Sequence, residues 1–148
     1  MAKLKAFIFL TINGFYKGIG EDISWHQHNE EGAAFSEQQL SKGNILLFGR
    51  KTYEMMSSFW PSKMAAEAYP VVAAKMNSST KFVISHSLQK ANWQNTSIIN
   101  GDVIEEIKKL INSQSFTDVI AVGGDGTVNQ VASSLVNLNI SFGIVPAG

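Results

Sequence analysis

Short apolar runs alternate with amphipathic stretches along the chain, and this alternation predicts the arrangement of the fold. The apolar runs are too short for helices and read as buried strands at residues 5–12, 44–49, 81–86, 96–100, 118–124 and 141–148. Helical patterns fall between them at residues 30–42, 50–59, 102–112 and 127–137. Strand–helix alternation predicts one three-layer α/β domain over residues 1–148, with a mostly parallel sheet.

The stretch 102–112 has the clearest helical pattern. Asp102 is suited to cap its first turn. Its apolar residues recur at helical spacing and are expected to share one buried face: Val103, Ile104, Ile107, Leu110 and Ile111.

Composition narrows the class of protein. The 148 residues are 45% hydrophobic and carry 12 basic and 12 acidic side chains, so the formal net charge is zero. Such a balance is typical of a soluble globular domain and argues against nucleic-acid or membrane-surface partners. The chain has no cysteine, which excludes disulfides and thiolate metal sites. With no secretory signal and no apolar run long enough for a membrane span, we expect a cytoplasmic protein. The expected partner is a small-molecule substrate.

Three loops follow predicted strands and carry the residue types that bind phosphate. Ligands of parallel sheets lie beyond the carboxyl ends of the strands, and backbone amides at a helix start attract anions. Each loop alone is also typical of an ordinary turn, but together they predict a nucleotide or dinucleotide ligand. The candidate binding residues are Gly49, Arg50, Lys51, Thr52, Ser85, His86, Ser87, Gly123, Gly124, Asp125, Gly126 and Thr127.

No nucleophile–base pair or metal motif is legible in the sequence. His26 and His28 have no third ligand at suitable spacing, so no metal site is predicted. The absence of such motifs favours a reaction in which a bound cofactor performs the chemically difficult step, as in hydride transfer.

The stretches "FIFLTINGFYKG", "ILLFGRKTYEMMSSFWP" and "KFVISHSL" resemble the dihydrofolate reductase superfamily, in the branch related to the reductase domain of riboflavin biosynthesis. The resemblance implies a dihydrofolate reductase-like sheet and an NADPH-dependent reductase of a pterin- or pyrimidine-like substrate. It places Gly49 to Thr52 at the NADPH phosphates and Ser85 to Ser87 beside the adenosine. The candidate catalytic residues are Asn13, where relatives commonly have aspartate, and Glu30, with Glu31 as the alternative acid. The family also adds a closing pair of strands after the point where this sequence ends.

From about residue 117, "DVIAVGGDGTVNQVASSLVN" and "FGIVPAG" resemble the diacylglycerol and sphingosine kinase family. In that family the GGDGT turn contacts ATP phosphates. The two resemblances meet near residues 112–118, which suggests a chimera or a truncation. The main hypothesis is therefore an NADPH-dependent reductase, and the alternatives are an ATP-binding lipid kinase fragment and a chimera without turnover. The final apolar strand, 141–148, has no partner strand after it and predicts a homodimer formed through the sheet edge.

Overall fold

The protein was analysed as a computed structural model, which describes residues 3–9, 11–15, 17–25, 29–40, 44–112, 118–122, 129, 132–133 and 144–147. The strands in these residues are β1 (Lys3–Phe9), β2 (Ile45–Gly49), β3 (Lys81–Ile84), β4 (Thr96–Ile99), β5 (Asp118–Val122) and β6 (Ile144–Ala147). The helices are α1 (Glu30–Leu40), α2 (Arg50–Phe59), α3 (Lys63–Ala68), α4 (Pro70–Ser78) and α5 (Val103–Asn112). None of these helices combines the length and apolar character needed to cross a membrane.

The strands form one sheet in the order β4-β3-β2-β5-β1-β6, and each pair of neighbours is parallel. The fold class predicted from the alternation of strands and helices is therefore confirmed. β5 is inserted between β1 and β2, although these two strands precede it in the chain. The central strand thus comes from the last part of the sequence.

Alternate side chains of β2 pack against opposite layers of helices. Ile45 and Leu47 belong to a core cluster with Ile107 of α5. Leu46 and Phe48 belong to a second cluster, which includes Tyr53 of α2, and Val72 and Met76 of α4. The period of two residues along the strand separates the two cores, which gives the three layers.

The helix predicted at 102–112 is observed as α5, but its apolar face is confirmed only in part, and the side chain of Ile111 lies outside the described residues. Asp102 caps the helix, because its Oδ1 accepts hydrogen bonds from the amides of Ile104 at 3.0 Å and Glu105 at 3.1 Å. Ile107 is fully buried, but Ile104 is 40% exposed. At 100° per residue Ile104 lies at the margin of the face formed by Val103, Ile107 and Leu110, so solvent reaches it.

Two helices, α3 and α4, were not predicted from the sequence. Ser62 begins α3 by accepting a hydrogen bond on Oγ from the amide of Ala65 at 3.2 Å. Pro70 occupies the first turn of α4, where its missing N–H costs nothing. The apolar residues of α4 do not all lie on one face, because Val71 is 43% exposed although Val72 and Ala73, which follow it, are buried. Of the predicted helix 127–137, residues 129 and 132–133 are helical, and the rest lies outside the described residues.

Candidate functional site at the carboxyl edge of the sheet

Parallel strands bring the predicted loops to one edge of the sheet. β2, β3 and β5 end at Gly49, Ile84 and Val122, and the loop of residues 11–15 follows the end of β1. Phe48 is aligned with Val122, so β2 and β5 reach this edge at the same level. We call this the carboxyl edge.

The described strands that follow β2 and β5 in the chain lie on opposite sides of this pair. After β2 the next strand is β3, on one side, whereas after β5 the described chain returns in β6, on the far side of β1. Loops that diverge from adjacent parallel strands open a crevice, and ligands of such sheets bind in it. The crevice between β2 and β5 is therefore the candidate site.

The start of α2 forms one flank of this crevice. Gly49 precedes α2 in an extended conformation (φ −74°, ψ 155°) and provides no side-chain cap, so backbone amides of the first turn face this edge. The Arg50 guanidinium lies along α2, where its Nη1 is 2.9 Å from Glu54 Oε1 and 3.0 Å from Oε2. The charge of Arg50 is thus partly balanced within the helix. Lys51 and Thr52 follow in the same turn, with Lys51 exposed and Thr52 half-buried.

The loop after β3 is held by its own serine. Ser85 is 6% exposed, and its Oγ accepts hydrogen bonds from the amides of Leu88 at 2.9 Å and Ser87 at 3.2 Å. This turn ends β3 at Ile84, two residues earlier than the sequence pattern predicted. The His86 ring contacts the carbonyl of Asn100 through Nδ1 at 2.9 Å. Because a carbonyl only accepts, Nδ1 carries the proton, and the neutral ring then has Nε2 as its acceptor.

Asn100, which follows β4, also contributes to this edge, and the sequence pattern did not predict this. Its carbonyl fixes the His86 ring, so two neighbouring strand ends act together. The signal was present in "NGD" at 100–102, a turn sequence directly after an apolar strand.

The two candidate catalytic residues lie in separate local structures. Asn13 is exposed in the turn after β1, and its Oδ1 accepts a hydrogen bond from Thr11 Oγ1 at 2.6 Å. Glu30 is exposed in the first turn of α1, where a carboxylate interacts favourably with the helix dipole. Asn29 caps that helix, with its Oδ1 accepting from the amide of Gly32 at 2.8 Å. The described contacts do not bring Asn13 and Glu30 together, and their catalytic roles stay predictions.

The turn from Gly123 to Thr127 lies outside the described residues, as do His26 and His28. The structure describes what flanks the turn: β5 ends at Val122, and helical residues occur at 129 and 132–133. In the described part of the chain no group of three or more His, Cys, Asp or Glu side chains is arranged to hold a metal ion.

This geometry defines an α/β protein whose parallel strands bring several loops to one edge, where ligands of such sheets bind. Residues 72–148 match the family model of the diacylglycerol kinase catalytic domain, and the chain belongs to that family. A search of curated proteins found no match. The chain is similar to a crystal structure of a candidate riboflavin biosynthesis protein from Shewanella sp. PV-4, with a TM-score of 0.61 and 20% identity over 100% of this chain and 78% of the other. At that identity the likeness concerns the fold alone.

The family match overturns the assignment to the dihydrofolate reductase superfamily as the main interpretation. The match begins at residue 72, so it includes "KFVISHSL", which was attributed to the reductases. The prediction of an NADP-dependent oxidoreductase with NADPH as cofactor is wrong for the same reason, since diacylglycerol kinases use ATP and a metal ion. Buried strands and glycine turns are required by any parallel sheet, and they therefore discriminate poorly between the two families.

Proposed function

We propose that the chain binds ATP as a phosphoryl donor, with the phosphates seated at the turn 123–127 in the crevice between β2 and β5. The observation that carries the proposal is the central position of β5. This strand lies within the segment that matches the kinase family, and the GGDGT turn follows it directly in the sequence. The turn is therefore proposed to begin at the carboxyl edge, beside the loop after β2. Glycines at a strand end bring backbone amides close to phosphate, and the helix that follows adds the positive end of its dipole.

The chain's own groups would surround the triphosphate as follows. Arg50 and Lys51 contribute positive potential from the β2 side of the crevice. Mg²⁺ would arrive with the nucleotide, held mainly by phosphate oxygens, and it would neutralise charge on the transferring group. Asp125 is the carboxylate of the turn and the residue expected to orient that ion.

The base of the nucleotide would lie toward β3. Adjacent strands are about 4.8 Å apart, so the loop after β3 lies about 10 Å from the end of β5. Nε2 of His86 is positioned as an acceptor by the bond from Nδ1 to Asn100, and the exocyclic amine of adenine is a donor. Ser85 and Ser87 support this loop by their local hydrogen bonds.

The phosphoryl acceptor is proposed to be the hydroxyl of a diacylglycerol-type lipid, in keeping with the family's description. An assay with γ-labelled ATP and diacylglycerol in mixed micelles measures this transfer. Label that stays in ATP, with ATP bound, would refute the proposed acceptor but leave nucleotide binding intact.

Nucleotide binding is tested by calorimetric titration with Mg-ATP and, in parallel, NADPH. We expect Mg-ATP to bind and NADPH to bind more weakly. A Cβ at Gly124 should obstruct the approach of a phosphate, and Gly124→Ala should weaken Mg-ATP binding about tenfold or more, which corresponds to about 1.4 kcal/mol.

Gly101→Ala is the matched control, because a Cβ at Gly101 meets nothing within 4 Å and the residue follows β4 at the same edge. Gly101→Ala should bind Mg-ATP like the parent chain. Tighter binding of NADPH than of Mg-ATP, or parental binding in Gly124→Ala, would contradict the proposal.

A further inference from the structure

The sequence Asn-Gly occurs at two places in the chain, Asn13–Gly14 and Asn100–Gly101, and both pairs follow strands at the carboxyl edge. In such a pair the backbone nitrogen of the glycine can attack the side-chain amide carbon of the asparagine, because no Cβ on the second residue restricts the approach. All four residues are exposed, so water reaches both pairs. The two pairs differ in their hydrogen bonds.

Asn13–Gly14 is restrained at both of the groups that would react. Oδ1 of Asn13 accepts a hydrogen bond from Thr11 Oγ1 at 2.6 Å. The amide of Gly14 donates to the Thr11 carbonyl at 2.8 Å. The nitrogen must turn toward the Asn13 side chain to react, so ring closure at this pair has to break both bonds. Thr11 therefore protects the first pair.

Asn100–Gly101 lacks this protection. The Asn100 backbone carbonyl contacts the His86 ring, but within the described structure neither its side-chain amide nor the Gly101 amide makes a hydrogen bond. A Cβ at Gly101 would meet nothing within 4 Å, so the space around the attacking nitrogen is open. The pair lies between β4, which ends at Ile99, and α5, which begins at Val103, and belongs to neither element. Its reacting nitrogen and carbon can therefore approach each other without breaking a hydrogen bond.

We propose that Asn100 is a site of spontaneous deamidation and that this modification acts on the neighbouring nucleotide site. The Gly101 nitrogen forms a bond to Asn100 Cγ and loses its proton, while the bond between Cγ and Nδ2 breaks and ammonia leaves. Water then opens the cyclic succinimide. Addition of water at Cγ yields aspartate. Addition at the former backbone carbonyl carbon yields isoaspartate, in which the chain continues through Cγ.

The isoaspartyl product changes the contact that orients His86. The carbonyl that contacts His86 Nδ1 becomes part of a free carboxylate, and an additional methylene enters the chain before Gly101. The ring then loses the fixed carbonyl partner that makes Nε2 an acceptor. This consequence rests on the proposed function, in which Nε2 of His86 accepts from the adenine amine. The deamidation itself does not depend on that function.

The modification is tested on the full chain, incubated in mildly alkaline buffer and sampled over time. Peptide mapping by mass spectrometry follows the conversion of each asparagine, and an isoaspartate-specific methyltransferase with labelled methyl donor measures the isoaspartyl product. We expect Asn100 to react about tenfold or more faster than Asn13, because only Asn13 has to break two hydrogen bonds. Equal rates at the two residues, or an unmodified Asn100, would overturn the proposal.

The effect on the nucleotide site is tested with Gly101→Ala, whose added Cβ hinders ring closure but meets no neighbour in the fold. Parent and variant are incubated in parallel and titrated with Mg-ATP before and after. We expect the isoaspartyl fraction of the parent to bind Mg-ATP about tenfold more weakly, while the incubated variant keeps its affinity. Asn100→Asp, which keeps the backbone carbonyl, is the control for the added charge and should weaken binding less.

The possible failures are distinguishable. Undiminished Mg-ATP affinity in the isoaspartyl fraction overturns the link to the nucleotide site and leaves the modification site in place. If the parent does not bind Mg-ATP before incubation, both the proposed function and this link are refuted, and the rates at Asn100 and Asn13 still decide the modification.

Discussion

Lys81 is a buried lysine whose replacement should destabilise the fold in a pH-dependent way. The side chain is fully buried at the start of β3, and Nζ donates to the carbonyls of Met76 at 2.8 Å, Asn77 at 3.1 Å and Ser79 at 2.6 Å. It also lies 4.6 Å from the centroid of the Trp93 ring. The ammonium thus satisfies carbonyls at the end of α4, which have no partner within the helix.

The magnitude follows from these contacts. Lys81→Met keeps most of the volume but removes the Lys81 donor from the carbonyls of Met76 and Ser79, while the Asn77 carbonyl still accepts from Gln94 Nε2 and Asn95 Nδ2. The Met76 bond is fully buried and its loss costs about 1–3 kcal/mol, while the other two are partly buried and add less. We expect a loss of about 2–5 kcal/mol in the free energy of unfolding, measured by urea denaturation near pH 7. The free energy of unfolding of such a domain is only about 5–15 kcal/mol, so a loss of this size should be readily measured.

The pH dependence gives a second measurement on the same variant. Burial lowers the pKa of Lys81 from 10.5 to about 8. Below pH 8 the amine is charged in both the folded and the unfolded chain, so the cost of burying the charge is fully present. As pH rises from about 8 to 10.5 the folded chain loses its proton first, and the stability of the parent rises relative to the variant. The difference of about 2.5 between the pKa values corresponds to at most about 3 kcal/mol.

The assay is the difference in unfolding free energy between the parent and Lys81→Met at several pH values from 7 to 10.5. Taking the difference cancels the titration of groups common to both proteins. Lys108→Met serves as the control, since its partly exposed ammonium pairs with Glu105 on the surface of α5. A difference that shrinks between pH 8 and 10.5 would refute the reasoning. It would mean that the three carbonyls and the Trp93 ring favour the ammonium more than burial disfavours it.

Three further predictions concern the cap of α5, the turn after β5 and the edge of the sheet. Asp102→Ala should cost about 1 kcal/mol of unfolding free energy and Asp102→Asn much less, because only the former removes the side-chain acceptor; equal losses would contradict the capping role. Asp125→Asn should weaken Mg-ATP binding but leave binding of metal-free ATP unchanged, and equal effects on both would exclude a role toward the metal. The chain should dimerise through β6, an edge strand of the described sheet, and light scattering that reports a monomer throughout a concentration series would refute this.

Much of the fold was predictable because a parallel sheet imposes a strong pattern on the sequence. β2 is buried on both faces and reads as a continuous apolar run, which is why its position was predicted to within one residue. The strand order was not predictable. Local apolar runs do not encode which strands pair, and the insertion of β5 between β1 and β2 depends on contacts between residues more than 70 positions apart.

The meeting of the loops after β2 and β3 at one edge was predictable from the sequence, but the contacts made there were not. The rule that ligands lie at the carboxyl ends of strands correctly brought the loops after β2 and β3 to one edge. The sequence did not indicate that the Ser85 hydroxyl accepts a hydrogen bond within its own turn. It also did not indicate that the carbonyl of Asn100 fixes the orientation of the His86 ring. The ion pair between Arg50 and Glu54 could be predicted from their i, i+4 spacing, since such pairs are common on helices.

The position of β5 also bears on how the ligand of this protein is selected. The first part of the chain supplies β2 and the start of α2, which lie on one side of the candidate site and are compatible with many phosphate ligands. The central strand and the turn that follows it come from the segment that matches the kinase family. A loop leaving a central strand is bordered by neighbours on both sides, so its backbone determines how closely a phosphate approaches. If ATP binds as proposed, we expect the flanking loops to adjust affinity and the turn after β5 to set the class of ligand. This makes Gly124 and Asp125 the positions where a change should alter nucleotide binding most, although Arg50, Lys51 and His86 surround the same edge.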